Sequence, residues 1–158
     1  PELFNDTVRN NILMGDDQPD PWEYLRYVCL DREVAAMENG IETLVGSGGV
    51  GLCGGQGQRL SLAWTLCHKR PILVLDDPFS ALDRNTEAQI FSNLKKLASV
   101  SIGLLISHRL YLFPELNQVI WMDGGKQTGG THQELMETVP DYAALFHAQE
   151  GGKRHAEV

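Results

Sequence analysis

Ile72-Leu73-Val74-Leu75-Asp76-Asp77-Pro78 is an unbroken apolar run that stops at two carboxylates and a proline. A run without polar alternation is the pattern of a parallel strand buried on both faces. Ile102-Gly103-Leu104-Leu105-Ile106 repeats it and stops at Ser107-His108. Between the two, Asp83 opens a predicted helix over residues 83–98, with Ala88, Phe91, Leu94 and Ala98 turned inward. Strand, helix and strand in that order define an α/β fold with a mainly parallel sheet and flanking helices. Ligands of such sheets bind beyond the carboxyl ends of the strands, where this chain carries Asp76, Asp77 and His108.

The flanks extend the pattern. Residues 118–122 read as a further strand, closed by a turn at Asp123-Gly124-Gly125-Lys126. Thr131 and Glu134 form a capping box that starts a helix toward Val139. A last helix covers residues 141–149, and residues 151–158 read as a loose tail. Upstream the chain reads as helical. Asn5 or Asp6 caps a short helix with Val8 and Ile12 on one face, and Asp20-Pro21 opens another with Trp22, Leu25, Val28 and Cys29 inward. A third helix runs from Asp31 to about Asn39-Gly40. Leu60, Ala63, Trp64 and Cys67, at i, i+3, i+4 and i+7, predict a helix over residues 57–69. The expected organisation is a helical part over residues 1–69, the sheet-forming part over 70–150, and the tail.

Gly49-Val50-Gly51-Leu52-Cys53-Gly54-Gly55-Gln56-Gly57-Gln58-Arg59 packs five glycines into eleven residues just before that helix. Glycines running into a helix start suit an anion, because open backbone N–H groups and the positive end of the helix dipole both face it. The usual phosphate loop, G-x-x-x-x-G-K-[ST], occurs nowhere in the 158 residues. Gly124-Gly125-Lys126-Gln127 and Gly151-Gly152-Lys153-Arg154 lack both the following Ser or Thr and the earlier glycine.

Composition excludes several classes. A hydrophobic content of 42% with 22% charged residues is that of one globular domain. No apolar run approaches the roughly 20 residues of a membrane-spanning helix, and no signal peptide is expected. The three cysteines, Cys29, Cys53 and Cys67, have no C-x-x-C spacing, which suits a reducing cytosolic setting better than a disulfide frame or zinc site. A net charge of −8 argues against nucleic acid as a partner. Opening at Pro1, directly in an apparent motif, the chain is expected to be a fragment of something longer.

Singly, an acidic pair reads as a solvated loop, a lone histidine as a surface residue, and glycines before a helix as a turn. Order and spacing change that. Leu52-Cys53-Gly54-Gly55-Gln56, Ile72 to Pro78, Ser80-Ala81-Leu82-Asp83, and Ile106-Ser107-His108-Arg109 follow one another as in the second half of an ATP-binding cassette ATPase. They resemble, in turn, the L-S-G-G-Q signature, the Walker B strand, the D-loop and the switch histidine. The resemblance covers nearly the whole chain: residues 3–12 look like the segment after the Q-loop of exporter-type cassettes, residues 43–49 like their T-x-V-G-E-x-G element, and residues 130–135 like G-T-H-x-E-L.

The resemblance implies the second half of a P-loop NTPase-type sheet preceded by a helical subdomain, with ATP and Mg²⁺ as ligands. Two cassettes would pack head to tail, so that Leu52, Cys53, Gly54, Gly55 and Gln56 touch the γ-phosphate of ATP held by the other. Asp76 would orient Mg²⁺, Asp77 would polarise the attacking water, and His108 would contact the γ-phosphate and that water. Ser80 and Asp83, in the D-loop, would belong with the nucleotide-binding residues, and Asp83 would span the dimer interface. The implied partners are a second cassette and the transmembrane domain of an exporter, at the cytoplasmic face of a membrane. Three departures stand out: Asp77 where the family has Glu, Cys53 for the signature Ser, and Ser47 for the acidic residue of the exporter element. They point toward a slow or degenerate member of an asymmetric pair. Two alternatives remain open, a regulatory cassette with little hydrolysis of its own and a soluble cassette ATPase of DNA repair or chromosome maintenance.

Overall fold

The computed structural model describes residues 3–97 and 102–151. Contacts divide the chain into two units, one ending at Ile106 and the other beginning at Ser107. The α/β class expected from the sequence holds. The expected inward position of Ala98 and the tail beyond Gly151 lie outside the described residues.

In the first unit, β1 (Asp6–Thr7) leads straight into α1 (Val8–Leu13). The cap is Thr7 rather than Asn5 or Asp6, its hydroxyl accepting from the Asn10 N–H at 3.0 Å. Asn5 is engaged elsewhere, accepting from the Gly48 N–H at 2.8 Å. α2 (Pro21–Tyr27) starts as expected, with Asp20 capping the Trp22 N–H and Pro21 at the first position. Leu25 and Val28 are buried, but Tyr24 is buried where Trp22 was expected, and Trp22 and Cys29 are half-buried. α3 (Asp31–Ala35) stops short of Asn39 because its end tightens, Met37 N–H bonding Val34 O, and a 3₁₀ turn follows at Gly40–Glu42. β2 (Leu44–Val45) pairs antiparallel with β1.

Among the described residues α4 (Gly54–Cys67) is the longest helix, and it packs against both α1 and α2. It starts three residues earlier than periodicity predicts, so Gly54 and Gly55 are its first turn. It also ends earlier, at Cys67, where His68 bonds back to Trp64 O at 2.9 Å and Pro71 follows. Leu60, Ala63 and Cys67 are buried as expected, with Leu62 and Leu66 beside them. Trp64 is not: it is 39% exposed and lies tilted against His68, their ring centroids 5.4 Å apart.

β3 (Ile72–Asp76) and β4 (Ile102–Ile106) pair in parallel, Ile72 opposite Ile102 and Asp76 opposite Ile106. α5 (Arg84–Lys95) lies between them in sequence, capped by Asp83, and is tied to α2 by Asn93 Nδ2 donating to Tyr27 O at 2.9 Å. Its buried face is Glu87, Ile90 and Phe91; Ala88 is exposed and Leu94 half-buried. The strands are not buried on both faces. Leu73 is covered, whereas Ile72, Val74, Ile102, Leu104 and Ile106, on one face by strand alternation and register, are 45–59% exposed.

The second unit holds a 3₁₀ turn at Leu110–Glu115, the hairpin β5 (Val119–Asp123) and β6 (Lys126–Gly130), α6 (His132–Thr138) and α7 (Pro140–Gly151). Gly124 and Gly125 turn the hairpin at φ 52 and 77, a conformation favouring glycine. β6 escaped the sequence reading because Lys126-Gln127-Thr128-Gly129-Gly130 has no apolar alternation. The Thr131–Glu134 capping box is formed. Leu110, Phe113, Val119, Leu135, Tyr142 and Phe146 make the core. His132 Nδ1 lies 2.7 Å from Tyr142 Oη against this cluster, where burial holds its pKa below the usual histidine value.

An apolar sheet face left in water drives association. The 158-residue chain is therefore expected to self-associate, and Val74→Thr with Leu104→Thr, which keep strand propensity, should weaken that association about tenfold or more given the apolar area removed. Sedimentation velocity across a concentration series reads this; a concentration-independent monomer without the substitutions would refute it.

Candidate functional site

Cys53, extended at φ −67 and ψ 163, is the N-cap of α4. Its N–H donates to Gln56 Oε1 at 3.0 Å, so the signature-like stretch closes its own first turn. Cys53 and Gly54 are exposed, Leu52 and Gln56 half-buried, and Gly55 buried. Leu52, Cys53 and Gly54, with Gly46, Ser47 and Gly51, line an open cavity of about 480 Å³. All five predicted signature residues thus lie together at one helix start, with Leu52, Cys53 and Gly54 facing the open cavity, Gly55 buried and Gln56 half-buried.

That start is braced from behind. Arg59, 8% exposed, donates through Nε to Gly55 O at 3.2 Å and through Nη1 to Cys29 O at 2.6 Å, and pairs with Glu33 Oε1 at 2.6 Å. The other Glu33 oxygen accepts from Gln56 Nε2 at 2.8 Å. Burial pushes the Glu33 carboxyl up, but hydrogen bonds from Arg59 and Gln56 and the Arg59 charge outweigh it and hold the pKa below the ordinary 4.5. Glu33 and Arg59 were given no role by the sequence reading. Arg59 sits in the glycine-rich stretch, but nothing local to Glu33 signals that it reaches α4.

The two glycines of the turn differ. A Cβ at Gly54 would meet only Ala81 Cβ at 3.7 Å, an ordinary contact, while one at Gly55 would lie 2.9 Å from Ala81 O and 3.2 Å from Leu82 Cδ2. The predicted D-loop therefore packs directly on the signature helix. Gln58 fastens it, donating through Nε2 to Ser80 Oγ at 2.7 Å and accepting from the Ala81 N–H at 3.1 Å. Asp83 spends its carboxylate on capping α5, accepting from the N–H groups of Asn85 and Thr86, both at 3.0 Å, and from Thr86 Oγ1 at 2.7 Å. Those bonds, the Thr86 hydroxyl foremost, lower its pKa.

Asp76 ends β3 and is exposed. Asp77 follows in a left-handed conformation, φ 43, its N–H bonded to Ile106 O at 2.8 Å. Asp76, Asp77 and Pro78 line a cleft of about 230 Å³ with Gln58, Ser61 and Thr65 of α4. The structure thus joins the acidic pair to the signature helix along one groove. His108 belongs to the second unit and is exposed; Gln149 of α7 holds the backbone there, donating to His108 O at 2.7 Å and accepting from the Leu110 N–H at 2.9 Å.

No protein-family model matches the chain. Comparison with known proteins nevertheless assigns the class: the chain belongs to the ATP-binding cassette family and corresponds to the C-terminal portion of an exporter-type nucleotide-binding domain. It is 36% identical over 157 residues to the uncharacterized ABC transporter ATP-binding protein YwjA of Bacillus subtilis, covering 97% of this chain and 27% of that protein. An ATP-dependent lipid A-core flippase of Burkholderia thailandensis is 38% identical over 150 residues, 93% of this chain and 25% of the flippase. Among solved structures, a bacterial Atm1-family ABC exporter with ATP bound superposes with a TM-score of 0.85 at 32% identity, covering 94% of this chain and 27% of that one. The chain spans about a quarter of the length of the relatives it matches.

Because the folded Glu33 pKa is depressed, its stabilising effect is full above pH 4.5 and is lost as pH falls through the folded value. Glu33→Gln should cost about 1 kcal/mol or less at pH 7, since the carboxylate is 41% exposed and screened. The difference should vanish once pH has fallen below the depressed folded pKa. Urea denaturation of both proteins at a series of pH values tests this; a difference that persists at low pH would rule out the ion pair as its source.

Proposed function

We propose that this chain supplies the signature, Walker B, D-loop and switch elements of an ATP-hydrolysing cassette that drives export across a membrane. The observation that carries the reading is the start of α4, where Cys53 and Gly54 open into a cavity of about 480 Å³ while Arg59 and Glu33 brace the turn from behind. The fold likeness to an exporter with ATP bound and the relatives' exporter character support it. No relative reported above favours a DNA-repair role.

A γ-phosphate held by a second cassette would meet the amides that a helix start leaves without intrahelical partners, those of Gly54 and Gly55 first, at the positive end of the dipole. Cys53 offers only a weak thiol donor there. Asp77 would orient and polarise the attacking water for phosphate held by its own cassette, and His108 would serve as a polar contact for a γ-phosphate. Mg²⁺ would neutralise phosphate charge; it takes one or two carboxylates and completes its shell with phosphate oxygens and water, and Asp76 at the end of β3 fits that demand. Among the described residues no group of three or more His, Cys, Asp and Glu gathers to hold a metal unaided. None of the described helices is long and apolar enough to cross a membrane, so the membrane passage would belong to a partner domain. The cassette would then work at the cytoplasmic face.

Two outcomes are expected. Without a G-x-x-x-x-G-K-[ST] loop to hold the β- and γ-phosphates, the 158-residue chain alone should bind MgATP with a dissociation constant of about 1 mM or weaker, the scale of a few unassisted contacts. Micromolar affinity by titration calorimetry would contradict the assignment of its glycines to a partner's nucleotide. In the complete cassette pair, Asp77→Glu should raise turnover at this site about tenfold or more, because a misplacement of about 1 Å costs up to about a hundredfold. Steady-state phosphate release measures it, and an unchanged or lower rate would mean that the short carboxylate is not what limits this site.

A further inference from the structure

Two elements that the sequence presents as separate motifs, the start of α4 and the loop from Phe79 to Asp83, are joined in the structure by side-chain chemistry from Gln58. Its amide uses both ends: Nε2 donates to Ser80 Oγ at 2.7 Å and Oε1 accepts from the Ala81 N–H at 3.1 Å. An amide that gives and receives at once fixes its own rotamer and the position of what it holds. The steric fit is independent of those bonds. Gly55 is buried under Ala81 and Leu82, with no room for a Cβ at 2.9 Å from Ala81 O. Leu82 is 9% exposed, and its N–H closes a tight turn on Phe79 O at 3.0 Å, Phe79 itself being 2% exposed. Asp83 then leaves the loop as the cap of α5. The loop is thus anchored by buried side chains at Phe79 and Leu82, while its crown, Ser80 and Ala81, is exposed and held by Gln58.

We propose that Gln58 is a positioning residue that locks the 80–83 loop to the first turn of α4, so that these two elements move as one body and a displacement of either is passed to the other. The inference deepens the ATPase reading and rests on it for its consequence: in a cassette pair both elements would face the partner, and the clamp would make engagement of the partner's nucleotide at Gly54 and placement of the 80–83 loop a single event. Gln56, Arg59 and Glu33 fix the same turn to α3 and to the end of α2, so the body that moves includes them.

The clamp predicts a local signature. In the 158-residue chain, the Ala81 amide should exchange with solvent about tenfold faster in Gln58→Ala, the effect of losing one hydrogen bond of ordinary strength. Gln58→Glu keeps an acceptor for the Ala81 N–H and for the Ser80 hydroxyl, and should retain most of the protection. Exchange at Leu60 and Ala63, inside α4, reports whether the fold survives and should be unchanged in both variants. Unaltered Ala81 exchange in Gln58→Ala, or equal loss in Gln58→Glu, would overturn the clamp. In the complete cassette pair, Gln58→Ala should lower kcat about tenfold at the site whose nucleotide this chain's signature faces, with KM for ATP changed less than about twofold, and Gln58→Glu should rescue it. A proportional rise in KM with kcat intact would assign Gln58 to uniform binding and refute the coupling. Absence of ATPase activity in the unsubstituted pair would sink the ATPase reading, while the exchange measurement would still decide the clamp.

Discussion

A guanidinium with almost no access to water needs acceptors on every side, and Arg59 finds them at Cys29 O, Gly55 O and Glu33. Breaking such a set from one side leaves the remainder buried and unmatched, at a cost of about 3–5 kcal/mol for a fully buried pair and less here, because Glu33 keeps some contact with water. The set explains otherwise unrelated features of the first unit. Cys29 is held at φ 54, which ends α2 and presents its carbonyl to Arg59. α3 is short, but its Glu33 reaches α4. α4 can begin at two glycines, poor helix formers by about 1 kcal/mol each relative to alanine, because the carbonyl of Gly55 and the side chain of Gln56 are both fixed by the same network.

What the sequence made legible was local. Asp20-Pro21, Asp83 and the Thr131–Glu134 box were read correctly because a cap is written in the two to four residues that form it. The helix start at Gly54 was not, since glycine suggests a turn and the bracing groups lie at Glu33 and Cys29, more than twenty residues away. Trp64 satisfied the helical spacing yet sits at the rim of the stripe, which Leu62 and Leu66 carry instead. On α5 the fully buried Glu87 displaced Ala88 from the inward face, a choice no hydrophobicity pattern would make.

The strands illustrate a different limit. Apolar runs such as residues 72–75 specify a strand and its parallel pairing, and the register from Ile72 to Asp76 agrees with that. They do not specify what covers the second face. Burial of Ile72, Val74, Ile102 and Leu104 depends on whatever packs there, which no property of the run itself encodes. The motif order was legible because chemistry fixes residue type and spacing together. The residues that hold those motifs still, Glu33, Gln58 and Arg59, were not, because support can come from any part of the chain able to reach.

The adjacent glycines of the signature show how one short sequence can answer two constraints. Glycine at 54 is open, and a side chain there would meet nothing closer than 3.7 Å, so no packing inside the chain requires its lack of a Cβ. Glycine at 55 is required from within, by the carbonyl of Ala81. Reading the pair as phosphate-facing therefore accounts for one glycine and leaves the other to packing. The same division holds at Asp83, whose carboxylate already takes three bonds from Asn85 and Thr86 in its own helix. A contact from Asp83 to a second chain must use its remaining lone pairs, and the cap then fixes the direction from which that contact can come.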